Sequence, residues 1–242
     1  MKFAIISDIH GNLEALENVL RDIEKEGAEK IHFLGDAVGY GCSPNECVKL
    51  IKDHCEIKLL GNHDYAALGL EAVENFNQMA QISIEWTQEK LSKQSSAVLA
   101  DFEMESDFLD FHLVHASPGE PEQWHYILTT SQAKRHFENF SQAVCFVGHS
   151  HMPVIFNIDS EGQVMKSSKM ELERVPERRY IINVGSVGQP RDGDPRACYI
   201  MVDTESGKIY YRRVDYDIMK AQEKMKKANM PNFLVDRIAV GH

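Results

Sequence analysis

The sequence is short of several things, and each shortage narrows the field. It holds five cysteines (Cys42, Cys47, Cys55, Cys145 and Cys198), an odd number with no C-x-x-C pair, so neither a disulfide framework nor a thiolate zinc site is indicated. They read instead as small buried hydrophobes. No run of 18 apolar residues occurs, so no membrane-spanning helix and no membrane partner are expected. The opening stretch, Met1-Lys2-Phe3-Ala4-Ile5-Ile6-Ser7-Asp8, reaches a carboxylate too soon for a signal-peptide core, and the expected location is cytoplasmic. Basic residues are scarce as well: 26 against 37 acidic ones, a net charge of −11. Non-specific binding to duplex nucleic acid needs a basic surface that releases counterions, so no duplex partner is expected. An acidic protein that takes a small phosphorylated molecule needs local positive charge, which a metal ion can supply.

What is present is ordinary globular composition, 43% apolar and 26% charged over 242 residues, and a recurring pattern. Five times in the first 150 residues a short apolar, β-branched-rich run ends abruptly in a carboxylate, an amide or an imidazole. The runs are Phe3–Asp8, Ile31–Asp36, Ile57–Asp64, Phe111–His115 and Val144–His149, each read as a buried strand feeding a polar loop. Helical spacing fills the gaps. Leu13, Leu16, Val19, Leu20 and Ile23 share a face, with Asn12 as N-cap and Gly27 as C-cap. Ser43-Pro44-Asn45-Glu46 reads as a capping box, and longer helical patterns cover about 65–100 and 130–140. Strand-helix-strand order implies right-handed crossovers and parallel strands.

Beyond His151 short strands joined by turns take over, including a hairpin of 197–203 with 208–214. This half reads as a second, antiparallel sheet packed on the first. A helix pair at about 216–228 and 232–239 closes the chain. With no linker between the halves, one domain spanning 1–242 is expected, with a helical extension at about 216–242.

In open α/β sheets, ligands bind beyond the carboxyl ends of the strands. The polar run ends would therefore gather there: Asp8, His10, Asp36, Asn62, His115, His149 and His151. Oxygen and nitrogen donors without a thiolate suit two hard or borderline divalent cations.

In order along the chain, D-x-H (8–10), G-D (35–36), G-N-H-D (61–64), the lone His115 and G-H-x-H (148–151) resemble the motifs of the calcineurin-like metallophosphoesterases. The chain is most similar to their small prokaryotic phosphodiesterase and diadenosine-tetraphosphatase-like branch, through Ser7–Asn12, Gly35–Gly41 and Gly185–Asp194. The resemblance extends from Lys2 to about Tyr211 and implies an α/β fold, a four-layer αββα sandwich of two mixed β-sheets flanked by helices. It implies a hydrolase that cleaves a phosphodiester or dinucleotide polyphosphate by attack of a metal-bridging hydroxide. Asp8, His10 and His151 would hold one cation and Asn62, His115 and His149 the other, with Asp36 bridging. His63 would protonate the leaving oxygen, its ring oriented by Asp64. The cations expected are manganese first, with iron, zinc, nickel or magnesium as alternatives.

The sequence departs from the serine/threonine protein phosphatases. Where they have G-D-x-x-D-R-G, it has Gly39-Tyr40-Gly41 and lacks the phosphate-clamping arginine. Asn183-Val184-Gly185-Ser186 likewise replaces a more usual N-P-G-S. A phosphomonoesterase, for small molecules or proteins, is the alternative activity, and a non-catalytic scaffold on the same fold the alternative class. Arg191 is the substrate-binding candidate with Tyr40; Arg196 lies in the same Gly- and Pro-rich loop, and Tyr40 could instead cover the core. Trp124 or Tyr126 either stacks on a nucleobase or anchors the core. Lys220, Lys224, Lys226 and Lys227 read as a solvated face, and the terminal helices leave a homo-oligomer open.

Overall fold

Alternate residues of a strand face opposite sides, and in this protein both sides of the central strands are apolar. The computed structural model describes residues 1–242. Its strands are β1 (Lys2–Ile6), β2 (Lys30–Phe33), β3 (Glu105–Phe108), β4 (Phe111–Val114), β5 (Val144–Val147), β6 (Val154–Ile158), β7 (Val164–Ser167), β8 (Glu171–Glu173), β9 (Arg179–Asn183), β10 (Ala197–Asp203) and β11 (Lys208–Val214). Its helices are α1 (Leu13–Glu26), α2 (Pro44–His54), α3 (Asn62–Ala67), α4 (Gln78–Lys90), α5 (Lys93–Ala100), α6 (Thr130–His136), α7 (Ile218–Lys227) and α8 (Asn232–Arg237).

Residue parity assigns each strand side chain to a layer. From β1, Ala4 and Ile6 pack with Leu16 and Val19 of α1 and with Val48 and Ile51 of α2. Phe3 and Ile5 point the other way, onto Leu113 of β4, Phe146 of β5 and Ile182 of β9. On the far side, Cys145 and Val147 of β5 meet Ala133 of α6 and Phe137. The result is helices, sheet, sheet, helices: the four-layer αββα sandwich of two mixed sheets. The cysteines are free, and all but the partly exposed Cys42 are buried.

The division of strands differs from the reading of a parallel sheet followed by an antiparallel one. One sheet runs β2-β1-β10-β11-β8 and the other β3-β4-β5-β9-β6-β7. In the first, β1 is parallel to β2 but antiparallel to β10. In the second, β5 lies between β4 and β9, parallel to both. Each half of the chain thus contributes to both sheets, because partners are chosen by burial across the sandwich rather than by nearness in sequence.

Asn12 caps α1 by accepting from the Ala15 N–H at 3.1 Å, and Gly27 ends it in the left-handed region at φ 74°. Ser43 does not form the expected capping box; its hydroxyl instead accepts from Lys224 Nζ of α7 at 3.2 Å. The run at 57–60 makes only single-residue bridges, Phe33 with Lys58 and Leu59 with Glu103, before the chain turns into α3. The helical stretch at 65–100 is divided by two internal caps, Asn77 and Ser92, which accept from N–H groups of α4 and α5. Lys220 and Lys224 are not merely solvated: both ion-pair with the buried Glu14, at 3.3 and 2.7 Å. No helix is long and apolar enough to cross a membrane.

Asp22 ties α1 to the first sheet. It accepts from the Tyr199 hydroxyl at 2.8 Å and from Nε and Nη2 of Arg212 at 3.1 and 3.0 Å. Burial opposes ionisation there, but the Arg212 and Tyr199 hydrogen bonds prevail and hold the carboxyl below its ordinary value. Asp22→Asn should therefore lower unfolding free energy by about 1.5–3 kcal/mol in urea titrations near neutral pH. A depressed folded pKa stabilises fully above the unfolded carboxylate pKa of about 3.9 and is lost as pH falls through the folded value, so the gap between wild type and variant should close in acid. A gap that stays constant with pH would contradict this role.

Candidate metal centre

Asp8 and His10 follow β1, Asp36 follows β2, His115 follows β4, His149 and His151 follow β5, and Asn62 opens α3. All seven are buried. Turning so many side chains toward one point requires backbone that L-residues avoid: Asp8, His10, Asp36, His149 and His151 all lie in the left-handed region, with φ of 53, 50, 60, 64 and 59°. Each such residue costs roughly 1–2 kcal/mol, which the surrounding structure must offset. Backbone bonds hold the turns: the Asp8 N–H donates to Gly35 and the His10 N–H to the Asp36 carbonyl, at 3.0 and 2.9 Å.

Second partners set the tautomers of the imidazoles. Nδ1–H donates to a backbone carbonyl in His10 (Val38, 3.0 Å), His115 (Leu34, 3.0 Å) and His151 (Gln189, 2.6 Å). A carbonyl only accepts, so Nδ1 carries the proton and Nε2 presents a lone pair. His10 Nε2 and His151 Nε2 lie 3.1 Å apart, two lone pairs facing each other. Nearby, Asp8 Oδ1 is 3.3 Å from His151 Nε2, and Asp36 Oδ2 is 3.4 Å from the Nε2 atoms of both His10 and His115.

The donors fall into two groups that share Asp36: Asp8, His10, Asp36 and His151, then Asp36, His115 and His149. Beside the second group, Asn62 Oδ1, His115 Nε2 and His149 Nε2 are buried without a hydrogen-bond partner. Buried acceptors without donors are costly, and opposed lone pairs more so, unless a cation lies among them. The set therefore fits divalent metal ions, and its all-oxygen and nitrogen chemistry suits hard or borderline ones.

Electrostatics favour the ligating forms of His10, His149, His151 and Asp36, whereas at His115 and Asp8 a cation would have to displace a proton. Burial keeps His10 and His151 neutral, their pKa well below the usual imidazole range, and lowers His149 to about 3. At His115 burial also disfavours the proton, but the Asp36 charge outweighs it and raises the ring to about 9. Burial pushes Asp8 up to about 7, whereas at Asp36 it is overcome by the surrounding imidazoles, which hold that carboxyl well below its ordinary value.

His63 sits beside the cluster, its ring 4.8 Å from that of His10, with Nδ1 buried and unpartnered. Asp64 does not orient that ring, contrary to the expectation from the resemblance. Its carboxylate accepts from the backbone N–H groups of Asp36 (2.8 Å), Ala37 (3.2 Å), Val38 (3.1 Å) and Gly61 (3.1 Å). Both oxygens are thus occupied in pinning the loop that carries Asp36. Oδ1 of Asp36 in turn accepts from the His63 N–H at 2.9 Å, leaving Oδ2 for the centre. Two glycines make this closeness feasible: a Cβ on Gly61 would strike the Asp36 carboxylate, and one on Gly39 would lie 2.5 Å from His63 Nδ1.

Around the mouth, Tyr40 is nearly buried, its ring 4.7 Å from His10 and 4.5 Å from His63, so it covers the cluster. Tyr126 lies flat on His149, rings 4.1 Å apart at 24°, and is 46% exposed. Trp124 packs edge-on to Tyr65 and His115 as an anchor. Arg191 lies 5.8 Å from the Tyr40 ring, its Nη2 donating to Gln189 Oε1 at 2.8 Å. Arg196 is instead held by a two-point bond to Asp194.

Sequence reasoning passed over several supports. The Gln189 carbonyl sets the His151 tautomer, the Ser186 hydroxyl donates to the Asp8 carbonyl at 2.8 Å, and Asn183 Nδ2 donates to Ser150 Oγ at 3.0 Å. The Asn183-Val184-Gly185-Ser186 stretch was the available signal. Asp64→Asn should replace an acceptor of four N–H groups by a weaker, partly mismatched one, lowering both the melting temperature and metal occupancy measured by elemental analysis. A loss of turnover with melting temperature and metal content intact would restore the ring-orienting role.

Residues 1–207 match the model of the calcineurin-like phosphoesterase superfamily domain. The chain is 40% identical over 242 residues to the protein MJ0912 of Methanocaldococcus jannaschii, covering 98% of this chain and 97% of that one. It is similar in structure to a metallophosphoesterase from Sphaerobacter thermophilus, with TM-score 0.87 and 38% identity over 100% of this chain and 99% of that one. It also shares its fold with protein PH1004 of Pyrococcus horikoshii, with TM-score 0.79 and 19% identity over 100% and 98% of the two chains. Sequence motifs, layered fold, metal-fitting cluster and these matches agree: the chain belongs to the calcineurin-like phosphoesterase superfamily, a family of metal-dependent enzymes.

Proposed function

We propose that the protein is a two-cation phosphoesterase that cleaves a small phosphodiester or dinucleotide polyphosphate. The reading is carried by one observation, the two buried donor groups that share Asp36, with Asn62 Oδ1, His115 Nε2 and His149 Nε2 left without hydrogen-bond partners. Asp8, His10 and His151 would hold one ion and Asn62, His115 and His149 the other, with Asp36 between. Bound divalent ions would supply Lewis-acid activation of water and neutralise charge on the phosphoryl oxygens.

The chain's own groups do the rest. Burial lowers His63 to about 4, so the free ring is neutral. A phosphoester anion placed beside it would favour the protonated form, and the ring could then pass its proton to the leaving oxygen. Arg191 would bind a non-bridging phosphoryl oxygen through its fork of N–H groups. Tyr126, already flat against His149 and half exposed, offers a face to a planar leaving group. Together with Gly39-Tyr40-Gly41 in place of the protein-phosphatase arginine motif, this supports a nucleotide-like diester over a phosphoprotein.

The test compares initial rates on bis-p-nitrophenyl phosphate and p-nitrophenyl phosphate after chelator stripping and manganese loading. Faster diester cleavage that disappears without metal is expected. Faster monoester cleavage would establish a phosphatase, and silence on both substrates a scaffold. His63→Ala should leave metal content intact and lower kcat by about 10²–10⁴-fold; full turnover would remove His63 from the mechanism. Asp36→Ala should instead lose metal, measured by elemental analysis of the purified protein.

A further inference from the structure

The terminal helices bring a second arginine toward the same mouth. Helices α7 and α8, with Ile238 just beyond α8, pack Ala221, Met225, Leu234, Val235 and Ile238 into one apolar cluster with Tyr40, the residue that covers His10 and His63. Ile238 also lines a small cavity with His10, Tyr40 and Gln189. At the end of the chain, the carbonyl of Gly241 accepts from the Gly193 N–H at 2.9 Å, fastening the segment after α8 to the loop that carries Arg191. Arg237, between these two attachments, therefore sits on the segment that joins the Tyr40 cluster to the Arg191 loop.

No Asp or Glu side chain pairs with Arg237. Arg174, Arg196, Arg212 and Arg213 each pair with a side-chain carboxylate, at Asp110, Asp194, Asp22 and Asp192. Arg191 and Arg237 do not, nor do Arg21, Arg178 and Arg179, which bond Asn18, Asn157 and the Phe137 carbonyl instead, nor Arg135. Arg237 rests 5.1 Å from the Phe233 ring and donates through Nε to the His242 backbone oxygen. Arg191 keeps a buried Nε with no partner. Burial, and then the like charge of Arg191, lower Arg237 to about 10. Two arginines on segments fastened to each other at the same mouth offer charge for an anion between them.

We propose that Arg237 and Arg191 form a two-guanidinium site that binds a phosphate group other than the one being cleaved, which makes compounds with two or more linked phosphates the preferred substrates. This rests on the phosphoesterase reading above and narrows its substrate class. Arg237 lies beyond residues 1–207, so the selectivity comes from the helical extension rather than from the part that matches the family model.

The test uses the manganese-loaded full chain with Arg237→Gln, which keeps much of the side-chain packing, and Arg237→Lys, which keeps the charge. The readout is kcat/KM for a dinucleoside triphosphate relative to bis-p-nitrophenyl phosphate. Arg237→Gln should lower that ratio by about 10–100-fold, the worth of a hydrogen-bonded charge, mainly through KM, and Arg237→Lys should recover part of it. A second readout is the melting-temperature rise given by inorganic tripolyphosphate to the chelator-stripped protein, expected in the wild type and lost in Arg237→Gln. An unchanged ratio, or equal losses on both substrates, would overturn the proposal and leave Arg237 a prop for Tyr40. If the wild type cleaves neither substrate, the phosphoesterase reading fails, and the tripolyphosphate shift alone decides whether the arginine pair binds linked phosphates.

Discussion

The structure depends on holding one carboxylate, Asp36, ionised and aimed in the interior. It is 1% exposed, and its own backbone lies in the left-handed region. Asp64 makes this feasible by accepting from four backbone N–H groups, three of them from Asp36 to Val38. The His63 N–H then takes one Asp36 oxygen, and the other is left facing two imidazoles. The cost of desolvating the Asp36 charge is offset by the surrounding imidazoles and the His63 N–H, while the backbone donors that hold the loop through Asp64 do not reorganise when a ligand arrives.

The sandwich supplies the rigidity this arrangement needs. Strands β1 and β2 in one sheet and β4 and β5 in the other end at the same edge, so ligands from two sheets meet across the inter-sheet core. A site divided between two layers is placed by close-packed Phe3, Ile5, Phe146 and Ile182 rather than by any loop alone. The strained turns at Asp8, His10, His149 and His151 persist because both sheets determine where their ends must be.

The terminal helices extend this logic outward. By packing on Tyr40 and fastening to Gly193, they wall one side of the mouth, while Tyr126 and Trp124 wall another. The metal-fitting cluster is built from the common frame, whereas the groups that would meet a substrate come from loops and from the extension.

Much of this was legible in the residues themselves. Apolar runs ending in Asp or His place ligands at strand ends, because a buried strand must stop where a charge begins. The Asn12 cap, the Gly27 stop and the 197–203 and 208–214 hairpin are equally local, and all three form. Less was legible where the signal was weak or distant. The strands β3 and β8 are short, largely polar edges with no apolar alternation to betray them. The Ser43 capping box looked sound, but Lys224, far along the chain, takes the hydroxyl. Residue type and order therefore determined the strand ends and the donor chemistry, since these follow from local burial. The allocation of strands to sheets, the true partners of Asp64, the left-handed turns and the fastening of the terminal segment to the Arg191 loop were decided by tertiary structure alone, because each depends on groups brought together across long stretches of chain.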